Sequence, residues 1–97
     1  MKVIELKPGL KRVDVEGRIA EKGESRQVQT RFGETSRVAD AVLTDDSGSI
    51  KMSLWNEQID NFNVNDEVRV ENGYITSFRG ESQLNVGRYG RLAPKQQ

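Results

Sequence analysis

The segment from residue 45 to residue 55 limits the possible folds more than any other part of the chain. It begins with the turn-forming run Asp-Asp-Ser-Gly and continues with seven residues in which every second side chain is aliphatic. Successive strand residues point to opposite faces, so Ile50, Met52 and Leu54 are expected to face a core. The residues expected to face outward are Lys51, Ser53 and Trp55. The segment predicts a hairpin turn and a half-buried strand, with the chain's only Trp on the polar face.

Similar alternation recurs at short intervals along the chain. It predicts further strands at residues 12–20, 68–76 and 83–86, with turns at 65–66 and 78–80. Residues 37–44 are predicted to form a centrally placed strand, because their apolar residues lie on both faces. Gly17, inside the strand at 12–20, predicts a bend or bulge of the kind found where strands curl into a barrel. Asn72-Gly73 fits either a two-residue hairpin or a bulge within one long strand. Five short strands predict an all-β barrel or sandwich, and a barrel leaves fewer exposed edges.

The remaining segments predict connections. Residues 1–10 are expected to form a short arm, and residues 21–36 a polar loop whose arms pair around 26–31, with Phe32 near the tip. Residues 56–62 fit one helical turn, capped by Asn56, that buries Ile59 and Phe62. Residues 92–97 have the composition of a linker. The 97 residues are therefore expected to form one domain, 1–97, to which a longer chain could add others.

Composition excludes several classes of activity. The chain has no Cys and no His, which removes disulfides, the usual zinc sites and every Ser-His or Cys-His nucleophile. The glycines form no phosphate-binding loop followed by a helix. We therefore expect no enzyme, no metal and no cofactor. The N-terminus has no secretory pattern and no segment is apolar enough to span a bilayer, so we expect a cytoplasmic protein, nuclear in a eukaryote.

Three aromatic residues are predicted to lie outside the core. Side-chain alternation places Trp55, Tyr74 and Phe78 on outward faces or at a polar turn. A single-stranded nucleic acid offers flat bases for stacking on such rings, whatever the base. Packing beneath a loop is an alternative for Trp55, and covering a strand edge is one for Tyr74. Phe78, beside Arg79 and Gly80, has little core to join.

Polar residues beside these rings fit the other parts of a nucleic acid. Phosphates need cations, and base edges or sugars need amides. The net charge is zero, with 15 basic and 15 acidic residues, so any basic groove must be local. The candidate phosphate ligands are Lys51, Arg31, Arg37 and Arg79, and the candidate base or sugar contacts are Gln83 and Asn85.

Several of these segments resemble one known family. The run Leu-Lys-Pro-Gly-Leu at 6–10, the loop Arg-Gln-Val-Gln-Thr at 26–30, the block from Asp45 to Trp55, and the segment from Asn72 to Gly80 followed by Gln-Leu-Asn at 83–85 are similar to archaeal single-stranded DNA-binding proteins. They also resemble the OB domains of archaeal replication protein A and the single-OB sensor proteins of eukaryotic DNA repair. The similarity extends over nearly the whole chain.

The resemblance implies a five-stranded OB-fold Greek-key barrel with a short helix between the third and fourth strands. It implies base stacking on Trp55, Tyr74 and Phe78, and a groove flanked by residues 21–36 and the turn at 78–79. It also favours a bulge at Asn72-Gly73.

The sequence thus predicts a monomeric domain that binds single-stranded DNA with little sequence preference in replication, recombination or repair, alone or beside further OB domains and replication or repair proteins. An RNA-binding OB domain and a protein-interaction OB module of a replication complex are the alternatives.

Overall fold

The strands of the chain follow one another with short connections. The computed structural model describes residues 2–29, 32–86 and 90–95, with the backbone alone at residue 78. The strands within these residues are β1 Lys11–Lys22, β2 Arg26–Gln29, β3 Thr35–Thr44, β4 Ser49–Trp55, β5 Glu67–Phe78, β6 Glu81–Asn85 and β7 Arg91–Pro94. One helix, α1 Glu57–Asn61, lies between β4 and β5, and a 3-10 turn spans Val3–Glu5.

Five of the strands close into a barrel. They pair in the order β1-β3-β4-β6-β5, and β5 pairs back to β1. All these pairings are antiparallel except the one between β4 and β6. The interior is filled by the aliphatic residues of every barrel strand, which include Ile19, Leu43, Met52, Leu54, Val70 and Leu84. The predicted five-stranded barrel with a helix between its third and fourth strands is confirmed.

The barrel closes where β1 changes its partner. Residues 11–18 of β1 pair with β5, and residues 18–22 pair with β3. Gly17 lies at this change, and a Cβ atom there would be 2.6 Å from the carbonyl oxygen of Thr44 and 3.0 Å from the side chain of Leu43. The predicted bend is thus a close approach of two strands at Gly17, and the nearest register shifts of β1 lie on either side of it, between Val13 and Val15 and between Ile19 and Glu21.

The two interpretations of Asn72-Gly73 are resolved in favour of a bulge. β5 continues through both residues. Val13 pairs with Gly73 and Val15 pairs with Val70, so β5 contains one more residue than β1 over this stretch. Asn72 has a φ of 56°, and its amide donates to Asp14 Oδ1 at 2.9 Å. The bulge turns the second half of β5 from β1 toward β6.

Two short strands extend the sheet beyond the barrel. β2 forms a hairpin with the start of β3, which confirms the paired arms predicted within residues 21–36. β7 pairs with residues 68–71 of β5, so the prediction of a linker starting at residue 92 is wrong for Leu92–Pro94. The N-terminal arm also joins the body of the protein, because Val3 and Leu6 are buried in the core.

The predicted turn at residues 45–48 is held by the Asp45 carboxylate. Its Oδ1 accepts from the amides of Ser47 and Gly48 and from the Ser47 hydroxyl, and its Oδ2 accepts from the Val3 amide at 2.9 Å. Partial burial disfavours the charged carboxylate, but these hydrogen bonds outweigh it and lower the pKa of Asp45 to about 2. One side chain therefore fixes both the hairpin and the N-terminal arm.

The helical turn buries Ile59 and Phe62 as predicted. Its predicted cap is wrong, because Asn56 makes no capping hydrogen bond with its side chain. Asn56 instead adopts a φ of 51° and accepts the Arg37 amide on Oδ1, which ties the helix to β3. No helix in the described residues has the length and apolar character needed to cross a membrane.

Candidate nucleic-acid interface

The outer surface of β4, β6 and β5 brings together residues from distant parts of the sequence. Lys51 of β4 is paired with Gln83 of β6, and Gln83 is paired with Thr76 of β5. Asn85 is paired with Tyr74. Residues opposite each other on paired strands point to the same face, so these side chains share one surface with Trp55. We call this surface the β4–β6–β5 face.

Two aromatic rings are exposed on this face. Trp55 is 38% exposed at the end of β4, and Tyr74 is 40% exposed in the second half of β5. Adjacent strands lie about 4.8 Å apart and residues about 3.4 Å apart along a strand, so the two Cα atoms are separated by about 12 Å. Phe78 is the last residue of β5 and is paired with Glu81, while its side chain lies outside the described part. Both described rings remain accessible to a ligand.

Trp55 lies beside a buried apolar residue of the neighbouring strand. Val38 of β3 is directly opposite Trp55, and Arg26 of β2 is opposite Val38 on its other side. Val38 is only 4% exposed, yet it does not belong to the core cluster. The Trp55 amide also donates to Gln58 Oε1 at 3.0 Å. The Trp55 side chain is therefore partly buried and partly exposed.

Two side-chain amides form hydrogen bonds at the centre of the face. Gln83 Nε2 donates to Ser53 Oγ at 2.6 Å, and Asn85 Nδ2 donates to Thr76 Oγ1 at 3.0 Å. Ser53 is only 5% exposed, although the register places it on the same outward side of β4 as Lys51 and Trp55. The predicted outward alternation therefore holds for Lys51, Ser53 and Trp55, but Ser53 is buried beside Gln83. Gln83 and Asn85 are half-buried and occupy that central position.

The predicted phosphate ligands have different locations. Lys51 lies on the face, where its Nζ is 2.6 Å from Glu81 Oε2. Arg37 lies on the opposite side of β3 from Val38, and it pairs with Asp60 of the helix at 2.8 Å. Arg79 occupies the turn between β5 and β6. Arg31 lies outside the described residues. The structure thus brings Lys51 to the aromatic face and places Arg37 away from it.

Both ion-paired cations are held in their charged forms. Hydrogen bonding to Glu81 raises the pKa of Lys51, and hydrogen bonding to Asp60 raises the pKa of Arg37. The same contact lowers the pKa of Asp60. Glu81 and Asp60 therefore partly offset the positive charges of Lys51 and Arg37.

Residues not singled out as candidates from the sequence also lie near this surface. Lys11 of β1 is opposite Tyr74, and Arg26 of β2 is opposite Val38. Both are exposed. Phe32, in the connection between β2 and β3, is 85% exposed. The proximity of Lys11 and Arg26 to this face follows from the strand register, which the sequence alone does not give. The position of Phe32 in a polar loop, by contrast, can be read directly from the sequence.

The opposite side of the barrel offers a different surface. A broad concavity there is lined by both acidic and basic residues, including Glu16, Glu67, Arg69 and Lys95, and none of its described lining residues is aromatic. Glu16 bridges Arg69 at 2.8 Å and Lys95 at 3.7 Å. The described residues also contain no group of three or more His, Cys, Asp or Glu side chains arranged to hold a metal.

The closed five-stranded barrel, with its helix between β4 and β5, defines an OB-fold domain. Residues 6–94 match the family described as "Single-stranded DNA binding protein Ssb-like, OB fold". The chain belongs to this family. The suspected relationship to archaeal single-stranded DNA-binding proteins and replication protein A is thereby confirmed.

Curated relatives of the chain include two archaeal proteins. "Single-stranded DNA binding protein Ssb" of Saccharolobus solfataricus is 35% identical over 92 residues, which cover 95% of this chain and 62% of the relative. "Replication factor A" of Methanothermobacter thermautotrophicus is 33% identical over 91 residues, which cover 93% of this chain and 11% of the relative. The chain therefore spans less than two thirds of either relative.

A solved structure supports the same fold. The OB domain of Ta0387 from Thermoplasma acidophilum superimposes with a TM-score of 0.83 at 24% identity. The match covers 98% of this chain and 85% of that domain.

Proposed function

We propose that this chain binds single-stranded DNA on the β4–β6–β5 face with little sequence preference. The carrying observation is the strand register, which places exposed Trp55 and Tyr74 on one surface with Lys51. Rings stack on any base, and a cation meets the phosphates between bases. Family membership gives this proposal its class of ligand.

The candidate binding residues have different roles in the proposed complex. Trp55 and Tyr74 stack on separate bases, joined by Phe78 as the sequence predicts. Lys51 and Arg79 contact phosphates, with Arg26 as an addition and with Arg31 kept as a sequence-based prediction. Arg37 is left out, because it faces the helix. Gln83 and Asn85 contact base edges or sugars from the centre of the face.

The proposed role is non-catalytic protection of exposed strands in replication, recombination or repair, in the cytoplasm or in a eukaryotic nucleus. Residues 1–97 would act as one monomeric OB domain, and further OB domains or replication and repair proteins would be its partners. The chain matches only 11% of the replication factor A relative. This supports its use as one domain of a larger assembly.

Fluorescence of the single Trp tests the proposal. Titration with oligo-dT at low salt should quench Trp55 as a base stacks on it. Replacing either Trp55 or Tyr74 by Ala should weaken binding by about 1–3 kcal/mol, measured by anisotropy of a labelled oligonucleotide. Trp55→Phe is the matched variant, because it keeps a ring and should retain part of the lost affinity.

Three outcomes separate the alternatives. Unchanged fluorescence together with unchanged oligonucleotide anisotropy would overturn the proposal. Stronger competition by matched RNA than by DNA would identify an RNA-binding domain. Because phosphate contacts release counterions, affinity for DNA should fall steeply with salt, whereas a hydrophobic protein interface would not respond in this way.

Ile4→Ala provides an off-site control, since Ile4 is exposed beside the turn at 45–48.

A further inference from the structure

Two cations of the proposed DNA-binding surface contact carboxylates of the same surface. Lys51 Nζ lies 2.6 Å from Glu81 Oε2, and an Arg26 guanidinium nitrogen lies 3.3 Å from Asp40 Oδ2. The strand register places all four side chains on the outward side: Asp40 is opposite Ser53, and Glu81 is the β6 residue two positions before Gln83. The surface proposed to bind DNA phosphates therefore also carries the carboxylates of Glu81 and Asp40.

Neither ion pair is buried. The side chains of Lys51 and Glu81 are 63% and 60% exposed, and those of Arg26 and Asp40 are 58% and 65% exposed. Exposed pairs contribute little to folding. A phosphate arriving from solvent can reach each cation, but only by replacing a carboxylate that already occupies it.

We propose that Glu81 and Asp40 are affinity-determining residues that compete with DNA phosphates for Lys51 and Arg26. This inference rests on the proposed function of the same face. In the free domain the carboxylates hold the two cations, and in the complex phosphates displace them. The carboxylates then remain beside the DNA as repulsive neighbours, which weakens binding and favours release.

The two pairs are located where both would act on one bound strand. Arg26 and Asp40 lie on the β2–β3 side of the face, beside Val38 and Trp55. The pair of Lys51 and Glu81 lies along β4 and β6, near the turn that carries Arg79. A strand that stacks on Trp55 and continues along β6 meets both pairs, so their effects should add.

Salt dependence gives the competition a distinctive signature. Each phosphate that a lysine neutralises releases counterions condensed on the nucleic acid, and each such contact contributes about −0.7 to the slope of log K against log salt for single strands. Glu81 beside Lys51 offsets the charge of the lysine, so the pair displaces fewer of these counterions than a lysine without a carboxylate neighbour. Removing the carboxylate should therefore make the slope steeper by up to about 0.7 for each freed cation.

The test compares Glu81→Gln and Asp40→Asn with the wild type, using labelled oligo-dT over a range of salt. Each variant should bind about two- to five-fold more tightly at low salt, mainly through slower dissociation, and the gain should shrink at high salt. Glu16→Gln is the matched control, since it removes the same charge from an ion pair with Arg69 on the other side of the barrel. It should change affinity by less than about 1.5-fold because of screening.

A double-mutant cycle tests whether Glu81 acts through Lys51. In a Lys51→Gln background, Glu81→Gln should lose most of its effect. Equal gains in Glu16→Gln and Glu81→Gln would contradict the proposal, because the effect would then come from net charge alone. Wild-type binding with no gain in either Glu81→Gln or Asp40→Asn would overturn this inference and leave the proposed function intact. Absence of wild-type binding would instead remove the proposed function.

Discussion

Arg79 occupies a backbone conformation that favours other residues. It connects β5 to β6 through a two-residue turn in which Arg79 has a φ of 52° and Gly80 a φ of 80°. Positive φ at both positions is typical of a type I′ hairpin turn, where Asn-Gly is preferred. An arginine at the first position therefore costs stability. Arg79 is also one of the proposed phosphate ligands, so its effect on DNA binding can be measured apart from its cost in backbone conformation.

Arg79→Asn should separate these two effects. Asn tolerates the left-handed conformation, so the free energy of unfolding should rise by about 0.5–1 kcal/mol in urea titration. Loss of one phosphate contact should weaken oligo-dT binding and reduce the salt slope by about 0.7. Arg18→Gln, which removes a charge on the β1 side near Asn65, should leave the salt slope unchanged. Stronger DNA binding by Arg79→Asn would contradict this role.

Asp45 predicts a specific dependence of stability on pH. Its folded-state pKa of about 2 lies below its usual value of 3.8, so the unfolded chain binds more protons between these values. The carboxylate's contribution, about 2 kcal/mol, should be fully present above roughly pH 5 and be lost as the pH falls through 2. Asp45→Asn should lower the free energy of unfolding at pH 7, and the difference from wild type should shrink toward pH 2.

Asp46→Asn is the control for this prediction. Asp46 pairs with Lys2 at the surface, and both side chains are more than half exposed. Its substitution should cost less than about 1 kcal/mol at pH 7. Urea titrations from pH 2 to pH 7 compare the two variants. Equal effects of both substitutions would show that the hydrogen bonds to Asp45 do not stabilise the turn.

For individual residues, the sequence predicted which side of a strand a side chain faces better than it predicted what surrounds that side chain. Alternation correctly identified the core-facing side of β4 and the exposure of Trp55 and Tyr74. It could not predict that Ser53 would be buried beside Gln83 of β6, because Gln83 is 30 residues away in the chain. Asn56 was a sound candidate for a helix cap, but its side chain instead accepts the amide of Arg37 from another strand.

Among the elements, β1 determines how the barrel closes. It pairs with β5 and then with β3, and Gly17 lies where the three strands meet. Gly17→Ala would place a Cβ atom 2.6 Å from a backbone oxygen, which cannot move as freely as a side chain. Overpacking of this kind costs about 1–3 kcal/mol. Urea unfolding should detect this loss in the free energy of unfolding.

Gly48→Ala, in the turn between β3 and β4, provides the matched control. A Cβ at Gly48 would meet no atom within 4 Å, so its cost should be small. If Gly17→Ala were as stable as Gly48→Ala, β1 would not approach β3 as closely as described.

The short strands β2 and β7 both depend on a neighbouring strand, and β7 is the one that the sequence did not predict. β2 has the sequence Arg-Gln-Val-Gln and β7 has Arg-Leu-Ala-Pro, and neither carries a clear apolar alternation. Each forms because an existing strand, β3 or β5, offers hydrogen-bonding groups beyond the barrel. Hydrophobic periodicity reports burial of side chains, so it identifies barrel strands but not short strands added at an edge.

The whole molecule presents two contrasting outer surfaces around one aliphatic core. The β4–β6–β5 face carries exposed rings and amides, whereas the described residues that line the concavity on the β1–β5 side carry mixed charges. The parallel pairing of β4 with β6 assembles the first surface from residues far apart in sequence. This pairing was outside the reach of local patterns, although alternation already predicted that the aromatic residues lie outside the core as a binding platform, and the family resemblance implied the groove.

The most direct test of the central claim is an amide chemical-shift titration of the domain with oligo-dT. The account predicts that the largest shifts occur in β4, β6 and residues 74–78, together with the single indole N–H of Trp55. Amides of β7 and of residues 14–18 should change little. Shifts concentrated on the β1–β7 side, with the Trp55 indole unaffected, would contradict the assignment of the binding face.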